Sequence, residues 1–332
     1  MLGSFLDKAL DWTVLPGYTK LGYAARERLV GRGRLDLEGR SVMVTGASAG
    51  IGEAACNELA RAGALVHLVV RNRERGEEAR QRISAASGSE GLELHLCDVS
   101  SLASVREFAT GFAASGGPLH VLVNNAGLLP AERTHTDEGF ELSFATNVLG
   151  PFLLTSLLLG PLRRSAPSRV INVSSGGMYT ERIRLDDLQL ERREFDGAAF
   201  YAHTKRAEVI LSEEWGRRLA PDRITVHSVH PGWVATAGVQ ESLPRFNKVM
   251  GPLLRDPDQG ADTIVWLAGS PEAARSTGEF WHDRRPRPKH RIPRTRETPE
   301  ERVRLFDECE RLCDLAPGGA TDPEKTQATE GD

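Results

Sequence analysis

The stretch Val42-Met43-Val44-Thr45-Gly46-Ala47-Ser48-Ala49-Gly50-Ile51-Gly52 decides the fold. A short apolar run passes into three glycines and then into a segment of helical period, so a buried strand, a tight turn and a helix follow one another. Glycines let the backbone turn sharply and approach a ligand, while the free N–H groups and dipole at the next helix N-terminus favour negative charge. The pyrophosphate of a dinucleotide suits Gly46, Ser48, Gly50, Ile51 and Gly52. Glycines that merely close a tight turn are the alternative.

Outward from this stretch, apolar runs alternate with helical segments. The buried-strand candidates are Val42–Thr45, Leu65–Val70, Leu92–Leu96, Val121–Asn124, Val170–Val173 and Ile224–Val229, with a last one at Gly278–Trp281. Helix candidates fall near 51–62, 73–87, 101–115, 137–165, 199–219 and 258–269. Such alternation predicts one α/β domain over 41–283, doubly wound, with a parallel sheet of about seven strands flanked by helices. Residues 1–40 read as a lead-in segment with one amphipathic helix around Phe5-Leu6 and Trp12-Thr13-Val14-Leu15, packed as a strap on the domain. After it, Arg284, Arg285, Arg287, Lys289, Arg291, Arg294 and Arg296 form a basic run, read as solvated charges, whose prolines exclude a helix. Thr298-Pro299-Glu300-Glu301 then opens a helix over about 299–315, so 284–316 read as basic linker plus C-terminal helix. Residues 317–332 are polar and rich in Gly and Pro and read as a disordered tail.

The end of the second strand, Val69-Val70-Arg71-Asn72-Arg73, bears no acid to take a ribose hydroxyl, while Arg71 can take a 2′-phosphate through paired donors. NADP(H) is therefore favoured over NAD(H); an exposed, uninvolved Arg71 is the alternative. In Cys97-Asp98-Val99, after the third strand, Asp98 can accept from an adenine amino group or simply cap a helix.

Tyr201-Ala202-His203-Thr204-Lys205 sets a phenol and an ammonium at i and i+4 on one helical face. A phenol ordinarily ionises near pH 10, and a neighbouring ammonium favours its ionised form, which turns the pair into a general acid/base. His203 falls on another face. Ser175, in Val173-Ser174-Ser175-Gly176-Gly177, ends the fifth strand at the edge where such sheets bind ligands, and its hydroxyl can donate to a developing oxyanion. Ser174 is the other candidate, and loop capping suits either. Asn147 lies in an apolar helical stretch, where its amide serves either a core network or a water-mediated link towards Lys205.

In this order the motifs resemble the short-chain dehydrogenase/reductase family over residues 40–283, whose Gly46/Gly50/Gly52 spacing is that family's variant of the Rossmann glycine turn. Asn124-Asn125-Ala126-Gly127 is similar to its NNAG strand end, and Pro231-Gly232-Trp233-Val234-Ala235-Thr236 to its PGxVxT segment beside the nicotinamide. The resemblance implies hydride transfer between a nicotinamide and a carbonyl or alcohol. Asn147, Ser175, Tyr201 and Lys205 would form the tetrad, Lys205 also holding the nicotinamide ribose. It adds Val99, Asn125, Ala126, Gly127, Tyr201, Lys205, Pro231, Gly232, Val234 and Thr236 to the cofactor contacts. A narrower likeness, carried by Tyr18-Thr19-Lys20, Phe195-Asp196-Gly197 and His230-Pro231-Gly232-Trp233, is to the branch called dehydrogenase/reductase family member 12. The retinol dehydrogenases stand further off, and their lipophilic alcohols and aldehydes are an analogy. The loop Ala237–Asp256, with Leu243, Pro244, Phe246, Val249 and Met250, is the expected substrate lid.

Composition agrees with a globular protein: of 332 residues, 40% are hydrophobic and 27% charged. The net charge of −4 supplies no global field to recruit nucleic acid. Four scattered cysteines fit a reducing compartment; Cys309 and Cys313 lack the further ligands of a metal site, so none is expected. The most apolar stretch, Val148–Leu162, is too short and too broken to span a bilayer, and no secretory leader is apparent, so a cytoplasmic protein is expected. In many relatives this stretch and the Tyr201 helix form a homodimer contact; burial within one chain explains the same residues. The rival reading is an NADP-binding sensor with vestigial catalysis.

Overall fold

A computed structural model describes residues 17–30, 35–236 and 244–321. Its strands are β1 Ser41–Thr45, β2 Leu65–Val70, β3 Leu92–Leu96, β4 Val121–Asn124, β5 Ser168–Val173, β6 Ile224–Val229, β7 Phe280–His282 and β8 Arg285–Arg287. They form one sheet in the order β3-β2-β1-β4-β5-β6-β7-β8, in which only the β7/β8 pair is antiparallel. The chain winds from β1 out to β3 and then returns to the other side of β1. The strand order thus reverses between β1 and β4, the point beyond whose strand ends sheets of this kind take their ligands. β1 and β4 are buried throughout, as apolar strands covered on both faces should be.

The principal helices are α1 Lys20–Val30, α2 Gly50–Arg61, α3 Arg73–Ser87, α4 Leu102–Ala114, α5 Gly150–Leu157, α6 Leu159–Arg164, α7 Gly197–Leu219, α8 Pro244–Met250, α9 Pro257–Gly269 and α10 Pro299–Leu312. One sheet face, with Met43, Leu122 and Val170, packs on α4, α5 and α7, with α10 in a further layer over α5 and α7; the other, with Val42, Val44 and Leu68, packs on α2 and α9.

Three expectations are corrected. The helix read over 137–165 is broken into a turn at Leu142–Phe144, a π-helical segment at Ala145–Leu149, then α5 and α6. Pro151 has no N–H for the Asn147 carbonyl four residues before it, so the α-helical ladder cannot run through. The basic run is only partly solvated: Arg285, Arg294 and Arg296 are exposed, whereas Arg287 is buried and others are paired. Arg285–Arg287 form β8, Arg284 pairs with Asp262, Lys289 with Glu213, and the Arg291 guanidinium lies 4.6 Å from the Tyr179 ring centroid. Finally, residues 317–321 are placed rather than disordered: the Ser156 hydroxyl donates to the Ala320 carbonyl at 3.0 Å, and Ala320 is buried. Residues 322–332 lie outside the described residues, as do the Phe5-Leu6 and Trp12–Leu15 stretches.

The C-terminal segment covers the α5/α7 face. The Phe306 ring sits 4.9 Å from Phe152 and 4.7 Å from Trp215, with the Arg218 guanidinium 3.9 Å from its centroid. Cys309 and Cys313 are buried in this contact as packing groups. A Thr298–Glu301 capping box starts the helix, as its sequence demands.

Candidate active site

The turn after β1 is built for a close approach. Gly46 and Gly50 have φ of +67° and +58°, where a side chain would strain the backbone. A Cβ on Gly52 would stand 2.2 Å from the Gly46 carbonyl oxygen, which excludes any other residue there. A Cβ on Gly50 would project towards Thr236, 3.5 Å from its Cγ2, into the gap between the turn and the Pro231–Thr236 loop. No side chain caps the start of α2 at Ala49, so its first N–H groups are available to an anion. Asn125 ties the turn to β4: its amide donates to the Thr45 carbonyl at 2.9 Å, while the Thr45 hydroxyl accepts from the N–H groups of Asn125 and Ala126 at 3.0 Å each. These residues fit a dinucleotide pyrophosphate.

Asp196 caps α7 by accepting from Ala198 and Ala199 and so fixes where its face begins. Lys205 Nζ lies 5.6 Å from the centroid of the half-buried Tyr201 ring. The ammonium donates to the Val173 carbonyl at 2.9 Å and to Glu208 Oε1 at 2.7 Å. Burial works against this ammonium, but Glu208 and Tyr201 outweigh it and raise the Lys205 pKa. Burial likewise pushes the Glu208 carboxyl up to about 7, against the pull of Lys205. Within this pair Lys205 holds its proton more tightly, and Glu208 releases its proton less readily, than when exposed.

Ser175 lies two residues beyond β5, at the start of a 3-10 turn, and is half-buried; its hydroxyl accepts from Gly177 N at 3.2 Å, and Gly177 adjoins Ala202 of α7. Ser174 is turned inward and donates to the Lys205 carbonyl at 2.8 Å, which spends its hydroxyl on structure. The Asn147 amide donates to the Leu128 carbonyl at 3.0 Å and to Thr204 Oγ1 at 2.9 Å and accepts from Leu128 N at 2.8 Å. It braces the loop after β4 against α7 rather than touching Lys205. A Cβ on Gly127 would lie 3.2 Å from Lys205 Nζ, so this loop adjoins the lysine. His203 is buried off the site and accepts from Arg184 N at 3.1 Å; burial lowers its pKa to about 3.

Arg71 is exposed beyond β2, where Asn72 rather than Arg71 caps α3. Asp98 Oδ1 accepts from the Ser100 N–H and hydroxyl at 2.9 and 2.7 Å, so part of this carboxylate serves its own loop, and Val99 is buried. The Pro231–Thr236 loop is pinned by Arg255, whose N–H donates to the Trp233 carbonyl at 2.7 Å and whose guanidinium meets Asp283 at 2.6 Å. Arg26 of α1 meets the same carboxylate at 2.7 Å, while Tyr18 stacks edge-on against His230 and Trp233. In the expected lid, Leu243 and the side chains of Pro244 and Phe246 lie outside the described residues; Met250 is buried and Val249 exposed.

Residues 40–245 match the family described as short chain dehydrogenase. The chain belongs to the short-chain dehydrogenase family. It is 42% identical over 299 residues to dehydrogenase/reductase SDR family member 12 of Bos taurus, covering 89% of this chain and 93% of that one. Retinol dehydrogenase 11 of Homo sapiens is 41% identical over 238 residues, covering 70% and 74%. Among solved structures, a protein from Mycobacterium Paratuberculosis superposes with a TM-score of 0.69 at 29% identity, covering 84% of this chain and 95% of its own. The Pseudomonas aeruginosa RhlG/NADP active-site complex superposes at 0.62 and 27%, covering 75% and 96%. This short-chain dehydrogenase is thus an oxidoreductase whose family uses NAD(H) or NADP(H). Among the described residues no helix is long and apolar enough to cross a membrane. Sequence reading missed Glu208, Thr204 and Thr45. The first stands three residues after Lys205, a spacing that marks a helical neighbour and could have identified it.

Proposed function

We propose that this short-chain dehydrogenase interconverts a carbonyl and an alcohol with NADP(H), Tyr201 acting as general acid/base. The observation that carries this is the pairing of Tyr201 and Lys205 on one face of α7, against the Ser175 turn and above the crevice framed by Gly46, Gly50 and Thr236. When bound, the nicotinamide supplies or accepts the hydride. In reduction Tyr201 gives its phenolic proton to the substrate oxygen, and Ser175 donates a hydrogen bond to that oxygen as charge develops. Tyr201 is then reprotonated through the Lys205 ammonium, which passes on one proton and takes another from solvent; Lys205 would also hold the nicotinamide ribose, while Asn147 fixes the Gly127–Leu128 backbone beside it. Gly46, Ser48, Gly50, Ile51 and Gly52 would cradle the pyrophosphate, Asp98 and Val99 would border the adenine, and Asn125 and Ala126 would complete the cofactor's bed. Pro231, Gly232, Val234 and Thr236 border the nicotinamide, and Arg71 takes the 2′-phosphate.

The likeness to a retinol dehydrogenase and the apolar content of 237–256 support a lipophilic aldehyde, ketone or alcohol as substrate. Four free, buried cysteines support action in a reducing compartment such as the cytoplasm. The α5/α7 face that would serve a homodimer is occupied by α10, which favours burial within one chain. The test is NADPH consumption against a panel of aliphatic and aromatic aldehydes and ketones, beside NADPH titration without substrate. Turnover of a lipophilic carbonyl is expected; tight NADPH binding with no turnover across the panel would replace this reading with a sensor.

A further inference from the structure

Three metal-ligand side chains meet midway along the β2/β3 edge of the sheet. Glu93 and His95, two residues apart on β3, share a face, and the register sets His67 of β2 opposite Glu93. His67 Nδ1 lies 3.0 Å from His95 Nε2 and 3.2 Å from Glu93 Oε2, and the last two atoms are 3.7 Å apart. We propose that His67, Glu93 and His95 form a binding site for one zinc-class divalent cation.

The geometry supports this directly. A point in the plane of the three atoms lies about 1.9 Å from each. A cation slightly above that plane would reach all three at about 2.0–2.1 Å, as three corners of a tetrahedron do, with the fourth corner left to water. The ligands are also oriented from behind. Ser41 Oγ lies 2.9 Å from His67 Nε2, which leaves Nδ1 to face the site, and Phe112 and Phe108 pack against the two rings. Two imidazoles and a carboxylate are a donor set suited to zinc. His67 is buried, His95 half-buried and Glu93 53% exposed, so the cation has a way in from solvent. Spacing along the sequence gives no hint, because the ligands come from two strands that only folding aligns. The consequence is local: a bound cation would clip the edge strand β3 to β2.

The experiment titrates the full, chelator-treated chain with Zn2+ by calorimetry and with Co2+ by visible absorption, each repeated in His95→Ala and Glu93→Gln. Both variants alter exposed or half-exposed side chains, so the fold should survive, and circular dichroism verifies it. One equivalent of Zn2+, tetrahedral Co2+ bands without thiolate charge transfer, a higher Tm with metal, and about 100-fold weaker binding in both variants are expected. His135→Ala, at the surface His135–Glu191 pair, should bind as the parent does. Absence of stoichiometric binding, thiolate bands, or affinity unchanged in both variants would show a proton-sharing histidine pair instead and overturn the site.

Discussion

The Lys205 ammonium and the Glu208 carboxylate form a buried ion pair, 2.7 Å apart, with Lys205 one helical turn and Glu208 two turns beyond Tyr201. Glu208 Oε2 is buried without a hydrogen-bond partner, so the pair is only half satisfied on the acidic side. Removal of the carboxylate should therefore change both the proton chemistry of the site and its stability.

The stability effect has a definite sign. A carboxyl near 7 in the folded state and near 4.5 when exposed binds more protons folded than unfolded between those values. The parent should lose stability as pH rises through that window, by up to about 3 kcal/mol at 1.36 kcal/mol per unit. Glu208→Gln should lack this decline. Denaturant unfolding of both proteins from pH 4.5 to 7.5 measures it; parallel curves would remove the assigned titration.

Arg71→Ala should weaken NADPH binding about 10- to 100-fold and leave NADH binding nearly unchanged, since a charged hydrogen bond to phosphate contributes about 1.5–3 kcal/mol. Fluorescence titration with the two cofactors reads the ratio. Equal losses would discard the phosphate contact.

Phe306→Ala should destabilise the chain by about 3–5 kcal/mol, because the ring is fully buried between Phe152 and Trp215 and leaves a cavity. Val303→Ala on the same helix, at 36% exposure, should cost under about 1 kcal/mol. Unfolding midpoints of the two variants test whether α10 is integral to the fold.

Much of this architecture is legible in the chain, for reasons that differ by element. Leu65–Val70, Leu92–Leu96, Val121–Asn124 and Ile224–Val229 have the bounds expected of them: in the first, third and fourth, burial on both faces demands apolar runs that turns then delimit, whereas the edge strand Leu92–Leu96 shows itself by alternating Leu with polar residues. β8 was hidden by its composition: Arg285-Pro286-Arg287 is unlike a strand, and it pairs only because it lies at the sheet edge, where proline is tolerated. Tyr201 and Lys205 are legible because four residues make a helical turn. Asn147's brace to Leu128, and the convergence of His67 with Glu93 and His95, depend on elements distant in sequence. No local pattern reports such contacts.

The central claim is that the Tyr201 phenol carries the proton in hydride transfer, and the most direct measurement is Tyr201→Phe beside the parent, with NADPH affinity and turnover read on the same preparation. Affinity within about threefold of the parent with turnover down by about 100-fold or more is predicted, since only the phenolic oxygen is removed. Turnover close to the parent's, on any carbonyl that the parent reduces, would contradict it.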